Sequence, residues 1–130
     1  MDKRKYITFI AVLFACNATA AISDEMNANI LLHQYDTLTG DKRLALEQTV
    51  LTAEAAMREA NSVIVLQRSE YGLYCPPLES AAVAKIFTAE ELIELIRHEV
   101  DESPFVGKEE FEIALLHALQ VKFRCPARPK

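Results

Sequence analysis

Apolar residues fall at Leu46, Val50, Ala53, Met57, Ala60 and Ile64, in alternating steps of four and three. That spacing keeps one side of an α-helix apolar, and it predicts a helix beginning after Asp41. So regular a stripe serves either as a core face or as a coiled-coil or dimer seam, and its short length favours the core. An earlier helix is predicted from about Asp24 to Leu38, with Ser23 as N-cap, Met26, Ile30, Leu31 and Tyr35 on its apolar side, and Gly40 past its end. After an irregular stretch at 68–79, a short helical piece covers Ser80 to Phe87.

In TAEELIELIRHEVDESP, Thr88 and Glu91 make a capping box in which each side chain satisfies the other's backbone N–H. Leu92, Ile93, Ile96 and Val100 form the buried face of this helix, and Ser103-Pro104 stops it. A last helix from about Lys108 to Lys122 buries Phe111, Ala114, Leu115, Ala118 and Leu119, then returns Phe123 and Cys125 towards the core. Without repeats or Gly/Ser-rich linkers, the pattern predicts an all-α fold, one small domain of about four to five helices.

The N-terminus does not belong to that pattern. Lys3, Arg4 and Lys5 precede an apolar run from Tyr6 to Ala15, and small residues follow up to Ala18-Thr19-Ala20. This is the layout of a secretory signal peptide at residues 1–20, cleaved between Ala20 and Ala21, and it implies export. The run is shorter than the roughly 20 residues a spanning helix needs. A competing pattern is Leu13-Phe14-Ala15-Cys16, an approximate lipobox that would lipidate Cys16 and anchor the chain; Phe14 fits it poorly.

Cleavage after Ala20 leaves residues 21–130 with two cysteines, Cys75 and Cys125. In an oxidising compartment the pair reads as one disulfide. Closing a loop of about 50 residues stabilises a fold by roughly 4 kcal/mol in the chain-entropy model. Neither cysteine has a C-x-x-C neighbour for zinc, and His33, His98 and His117 lie in no cysteine-protease context. His98-Glu99 approaches an H-E-x-x-H zinc motif, but Glu102 stands where the second histidine is needed. No G-x-S-x-G and no phosphate-binding loop occurs, so the sequence nominates no catalytic residue, no metal and no cofactor.

Loss of Asp2, Lys3, Arg4 and Lys5 with the signal takes the net charge from −5 to −7. An acidic surface argues against nucleic acid or an anionic membrane as partner, and suits a basic protein. Two surface features qualify as contacts. From Glu90 to Glu112 nine carboxylates face only Arg97 and Lys108, a solvated helix face or a steering rim. Tyr71 and Tyr74 flank the loop before Cys75, either as partner contacts or as packing over the disulfide.

The C-terminal half resembles the Rap/Tai family of exported immunity proteins. The family pattern has a cysteine followed by proline ahead of a helix, a helix ending near a proline, and a closing Ala-Leu helix finishing in Phe-x-Cys. Cys75-Pro76, Pro104, Ala118-Leu119 and Phe123-Arg124-Cys125 occupy those places. The resemblance covers about half of the chain, and the further N-terminal cysteines of relatives are missing. It implies a periplasmic protein that binds and blocks a type VI secreted effector, chiefly a peptidoglycan-cleaving amidase. Rival readings are an acid-stress periplasmic chaperone, which would expose apolar surface at low pH, and a small hydrolase or metal carrier. Homodimerisation through the seam from Leu46 to Ile64 stays open at this point.

Overall fold

The computed structural model describes residues 26–68, 72–80 and 83–126. Four α-helices dominate: α1 (Ala28–Thr37), α2 (Gly40–Arg68), α3 (Ala89–Glu102) and α4 (Phe111–Lys122). A two-stranded hairpin, β1 (Leu78–Ser80) and β2 (Val83–Ala84), and a 3₁₀ turn (Pro104–Lys108) connect them. The all-α expectation is met. Among the described residues no helix is long and apolar enough to cross a membrane.

Helix α1 starts later than the sequence pattern predicts. Asn27 is its N-cap, its side-chain oxygen accepting the Ile30 N–H at 2.9 Å. The chain before it is extended because it pairs with the entry to α4: Ala28 N–H donates to Glu109 O, and Phe111 N–H donates to Met26 O, both at 3.0 Å. The same bridge, together with the 3₁₀ turn, moves the start of α4 from Lys108 to Phe111. Ser23 lies outside the described residues.

Between α1 and α2 the backbone turns through Gly40, whose φ of +58° is the left-handed region that favours glycine. Arg43 then stacks on Tyr35, 3.9 Å from the ring centre, and ties the two helices at their junction. Arg97 of α3 donates to both carboxylate oxygens of Asp36 at 2.8 and 3.2 Å, a bidentate pair linking α3 to α1.

The capping box forms as the sequence predicts: Glu91 N–H donates to the Thr88 hydroxyl, and Thr88 N–H to the Glu91 carboxylate. Leu92, Ile93 and Ile96 of α3 meet Phe111, Leu115 and Leu119 of α4 in one core, which Leu31, Tyr35, Leu46 and Val50 close from the other side. The α2 stripe is therefore core at Leu46 and Val50. It is half-buried at Met57 and Ile64 and exposed at Ala60, because the buried line of α2 runs through Val50, Glu54 and Asn61 and leaves Ala60 to one side.

The described residues of the segment from Ser80 to Phe87 are not helical. Pro76 and Pro77 send the chain out extended, and it doubles back so that Lys85 N–H donates to Pro77 O at 2.8 Å. This return delivers the Phe87 ring onto Phe123, with centroids 5.3 Å apart.

Asn61, buried on α2, holds the loop ahead of the cysteine. Its amide donates to Tyr74 O at 3.0 Å, and its oxygen accepts the Tyr74 N–H at 3.3 Å. Gly72 permits this approach, since a Cβ there would collide with the Asn61 side chain. We expect Gly72→Ala to cost about 2–4 kcal/mol, because Asn61 must swing away and leave buried backbone groups of Tyr74 unpaired. Urea denaturation of the single variants and the double variant with Asn61→Ala checks it. The cost of the alanine should shrink once Asn61 is gone, whereas additive costs would place the strain elsewhere.

Candidate functional site

Cys75 and Cys125 are joined by a disulfide with Cα atoms 4.9 Å apart. Beside it, Cys75 N–H donates to Phe123 O at 2.8 Å, so a covalent and a hydrogen bond fix the end of α4 to the loop. The two residues predicted to bond do so. Ala20, Ala21, Cys16 and Tyr71 lie outside the described residues.

Tyr74 is not the surface contact that the sequence suggested. Asn61 draws its backbone into α2, and only 1 % of the residue is exposed. Its hydroxyl is buried without a hydrogen-bond partner among the described residues, and burial, with the charge of Glu54 second, pushes its pKa up to about 12. Glu54 lies on the same buried line of α2 as Val50 and Asn61. One of its oxygens is 3.6 Å from Arg58, and the other has no hydrogen-bond partner among the described residues.

Burial raises the Glu54 pKa above the ordinary carboxylate value, against the pull of Arg58. The folded state then binds this proton more tightly than the unfolded chain. Stability is fully present below the unfolded value and falls as pH rises through the folded one. Glu54→Gln should therefore raise the melting temperature by several degrees at neutral pH, with the gain vanishing towards pH 4. Thermal melts of both proteins from pH 4 to 8 test this; parallel curves would remove Glu54 as the cause. Asp36 and Glu91, lowered by Arg97 and Lys85 respectively, act in the opposite sense and are lost on acidification.

The nine carboxylates of the acidic run separate into distinct roles. Glu91 caps α3 and pairs with Lys85, while Glu94 pairs with Arg97. Glu99 is buried at 8 % exposure. Glu90, Asp101, Glu102, Glu109 and Glu110 are exposed, and Glu112 is half-buried.

Glu99 lines a concave feature of this face. A groove of about 610 Å³ runs between α3 and α4, lined by Leu95, His98, Glu99, Glu102, Ser103, Ala118, Val121 and Lys122. A smaller hollow of about 300 Å³ continues it past Leu95, His98 and Lys122 to Lys85, Phe87, Glu91, Glu94 and Phe123. Glu99 Oε1 stands 3.0 Å from His117 Nδ1, close enough for an ion pair but out of line for a hydrogen bond. The sequence reading did not single out Glu99. Its signal was register: it follows Leu92 and Ile96 by seven and three residues, so it falls on the buried side of α3.

Among the described residues no three His, Cys, Asp or Glu side chains gather as metal ligands. Set against protein-family models, curated proteins and solved structures, the chain matches none. What the site offers is a walled groove of mixed charge, Glu99 and Glu102 with His98 and Lys122, beside a covalently fixed loop, an arrangement that can bind and orient a partner's surface.

Proposed function

We propose that this chain is a periplasmic immunity protein that binds and inhibits a type VI secreted peptidoglycan-cleaving amidase, acting by occupancy. The observation that carries the reading is the convergence of motifs that lie far apart in sequence. Cys75-Pro76 and Phe123-Arg124-Cys125, the elements on which the Rap/Tai resemblance rests, meet in one knot. Phe87 packs on Phe123 there, and the helix that ends at Ser103-Pro104 forms one wall of the adjoining groove.

An inhibitor of this kind benefits from a surface that is rigid before it binds. A disulfide, a backbone hydrogen bond and an aromatic contact supply that rigidity at the edge of the groove, so little freedom is lost on association. The net negative charge favours a basic enzyme surface and speeds encounter with it.

The test is co-expression. The full chain with its own N-terminus is produced in a bacterium whose periplasm receives a cell-wall amidase effector from the source strain. Survival, together with a stoichiometric complex of the oxidised protein and that amidase on size exclusion, is the expected result. Lysis in the presence of every amidase effector of that strain would overturn the proposal.

A further inference from the structure

We infer that Gly72 to Cys75 form a pH-sensitive lid over Glu54, closed while Glu54 carries a proton and opening, with the disulfide as a fixed hinge, when Glu54 ionises. The inference goes beyond the immunity reading and does not depend on it.

Two buried polar atoms lead to it. Among the described residues neither the Tyr74 hydroxyl nor Glu54 Oε1 has a hydrogen-bond partner, although each residue is no more than 2 % exposed. They belong to one place. Glu54, Arg58 and Asn61 follow one another along the same side of α2, and Asn61 holds the Tyr74 backbone through two hydrogen bonds. From that anchor the tyrosine stays within reach of Glu54, whose charge acts on its hydroxyl.

A neutral carboxyl group is tolerated in such a place, whereas a carboxylate needs donors or water. The compensation at hand is thin. Among the described residues Arg58 is the one charge that acts on Glu54; it lies 3.6 Å away on a half-buried side chain, and no group of α1, α3 or α4 adds to it. Arg58 and Glu54 are likewise the charges that act on Tyr74. Ionisation of Glu54 therefore favours whatever movement brings water to its carboxylate.

The lid is the smallest such movement. Swinging Tyr74 out breaks its two hydrogen bonds to Asn61 and uncovers one ring, while shifting α2 would break the core around Leu46 and Val50. Cys75 cannot follow far, because the bond to Cys125 and its own N–H to Phe123 O hold it at the end of α4. Opening brings Tyr74 out beside Leu73, which is already exposed. In this way pH controls whether an aromatic contact residue is offered next to the disulfide.

The sign follows from proton binding. The closed form holds the Glu54 proton more tightly than the open one, so opening becomes easier as pH rises above the ordinary carboxylate range, by at most about tenfold per pH unit. Amide hydrogen exchange of the oxidised protein between pH 5 and 8, corrected for intrinsic rates, reads this directly. The Tyr74 amide is expected to lose protection with rising pH in the wild type and to keep it in Glu54→Gln, with the Cys75 amide remaining protected in both. Tyr74 should also exchange faster than Ile96 and Leu115 in the core and be insensitive to low urea, since a lid exposes little surface. A flat Tyr74 profile in the wild type, an equal fall in Glu54→Gln, or a Cys75 amide that exchanges together with Tyr74 would overturn the lid. So would a Tyr74 amide that matches Ile96 and Leu115 in protection and in urea dependence, which is the mark of global unfolding.

Discussion

Reducing the Cys75–Cys125 bond, or replacing both cysteines with alanine, is expected to lower stability by about 4 kcal/mol. The bond spans 50 residues, so breaking it releases a large loop in the unfolded chain, the regime in which a cross-link constrains most. Further loss should follow in the folded state. Phe123 is held both by its carbonyl, which accepts the Cys75 N–H, and by its ring against Phe87, and both contacts sit directly beside the bond. The last residues of α4 should loosen first, and one wall of the groove with them. Urea denaturation with and without reductant measures the total, and amide exchange at 119–125 locates it. A midpoint that does not move on reduction would mean that packing alone fixes the C-terminus.

Helices α3 and α4 could be read from the sequence because their determinants are local. Thr88 and Glu91 stand three residues apart and cap each other regardless of the rest of the fold. Leu92, Ile93 and Ile96, and likewise Phe111, Ala114, Leu115, Ala118 and Leu119, announce their faces through spacing alone. The disulfide was legible for another reason, since of the three cysteines Cys16 falls in the segment read as a signal, and the other two admit one pairing.

What escaped the sequence depends on contacts between distant segments. The start of α1 is set by Glu110, more than eighty positions away, which pairs with Asn27 and keeps the preceding chain extended. The pairing of Leu78–Ser80 with Val83–Ala84 lies between anchors on either side, Cys75 on Cys125 and Phe87 on Phe123, none of which is local in sequence. Tyr74 looked like a contact residue because a tyrosine in a loop is exposed by default, and nothing nearby in sequence discloses that Asn61 will pull it inside. The groove exists only once α3 and α4 are side by side. Glu54, Asn61 and Glu99 share a common clue: each is a polar residue in register with an apolar stripe, which marks it as buried before its partner is known.

Val50→Asp is expected to unfold the protein, the largest effect of any single change considered. Val50 has 0 % exposure and sits in the cluster with Leu31, Leu92 and Leu115. Removing its side chain forfeits about 2 kcal/mol of burial, the loss Val50→Ala should show by itself. Setting a carboxylate in the same space adds several kcal/mol more, since no cation lies in that apolar cluster. Together the two costs match the 5–15 kcal/mol on which a small domain typically rests. Ala60→Asp, two turns and more along the same stripe, should instead leave stability within about 0.5 kcal/mol, because Ala60 is exposed beside the buried line through Val50, Glu54 and Asn61. Circular dichroism melts of the three variants decide between the two roles open to the heptad stripe. Collapse at Val50 with tolerance at Ala60 makes the stripe an intramolecular core face whose buried line passes Ala60 by. A folded Val50→Asp monomer derived from a wild-type dimer would instead make it an interface and would contradict the packing described for α2.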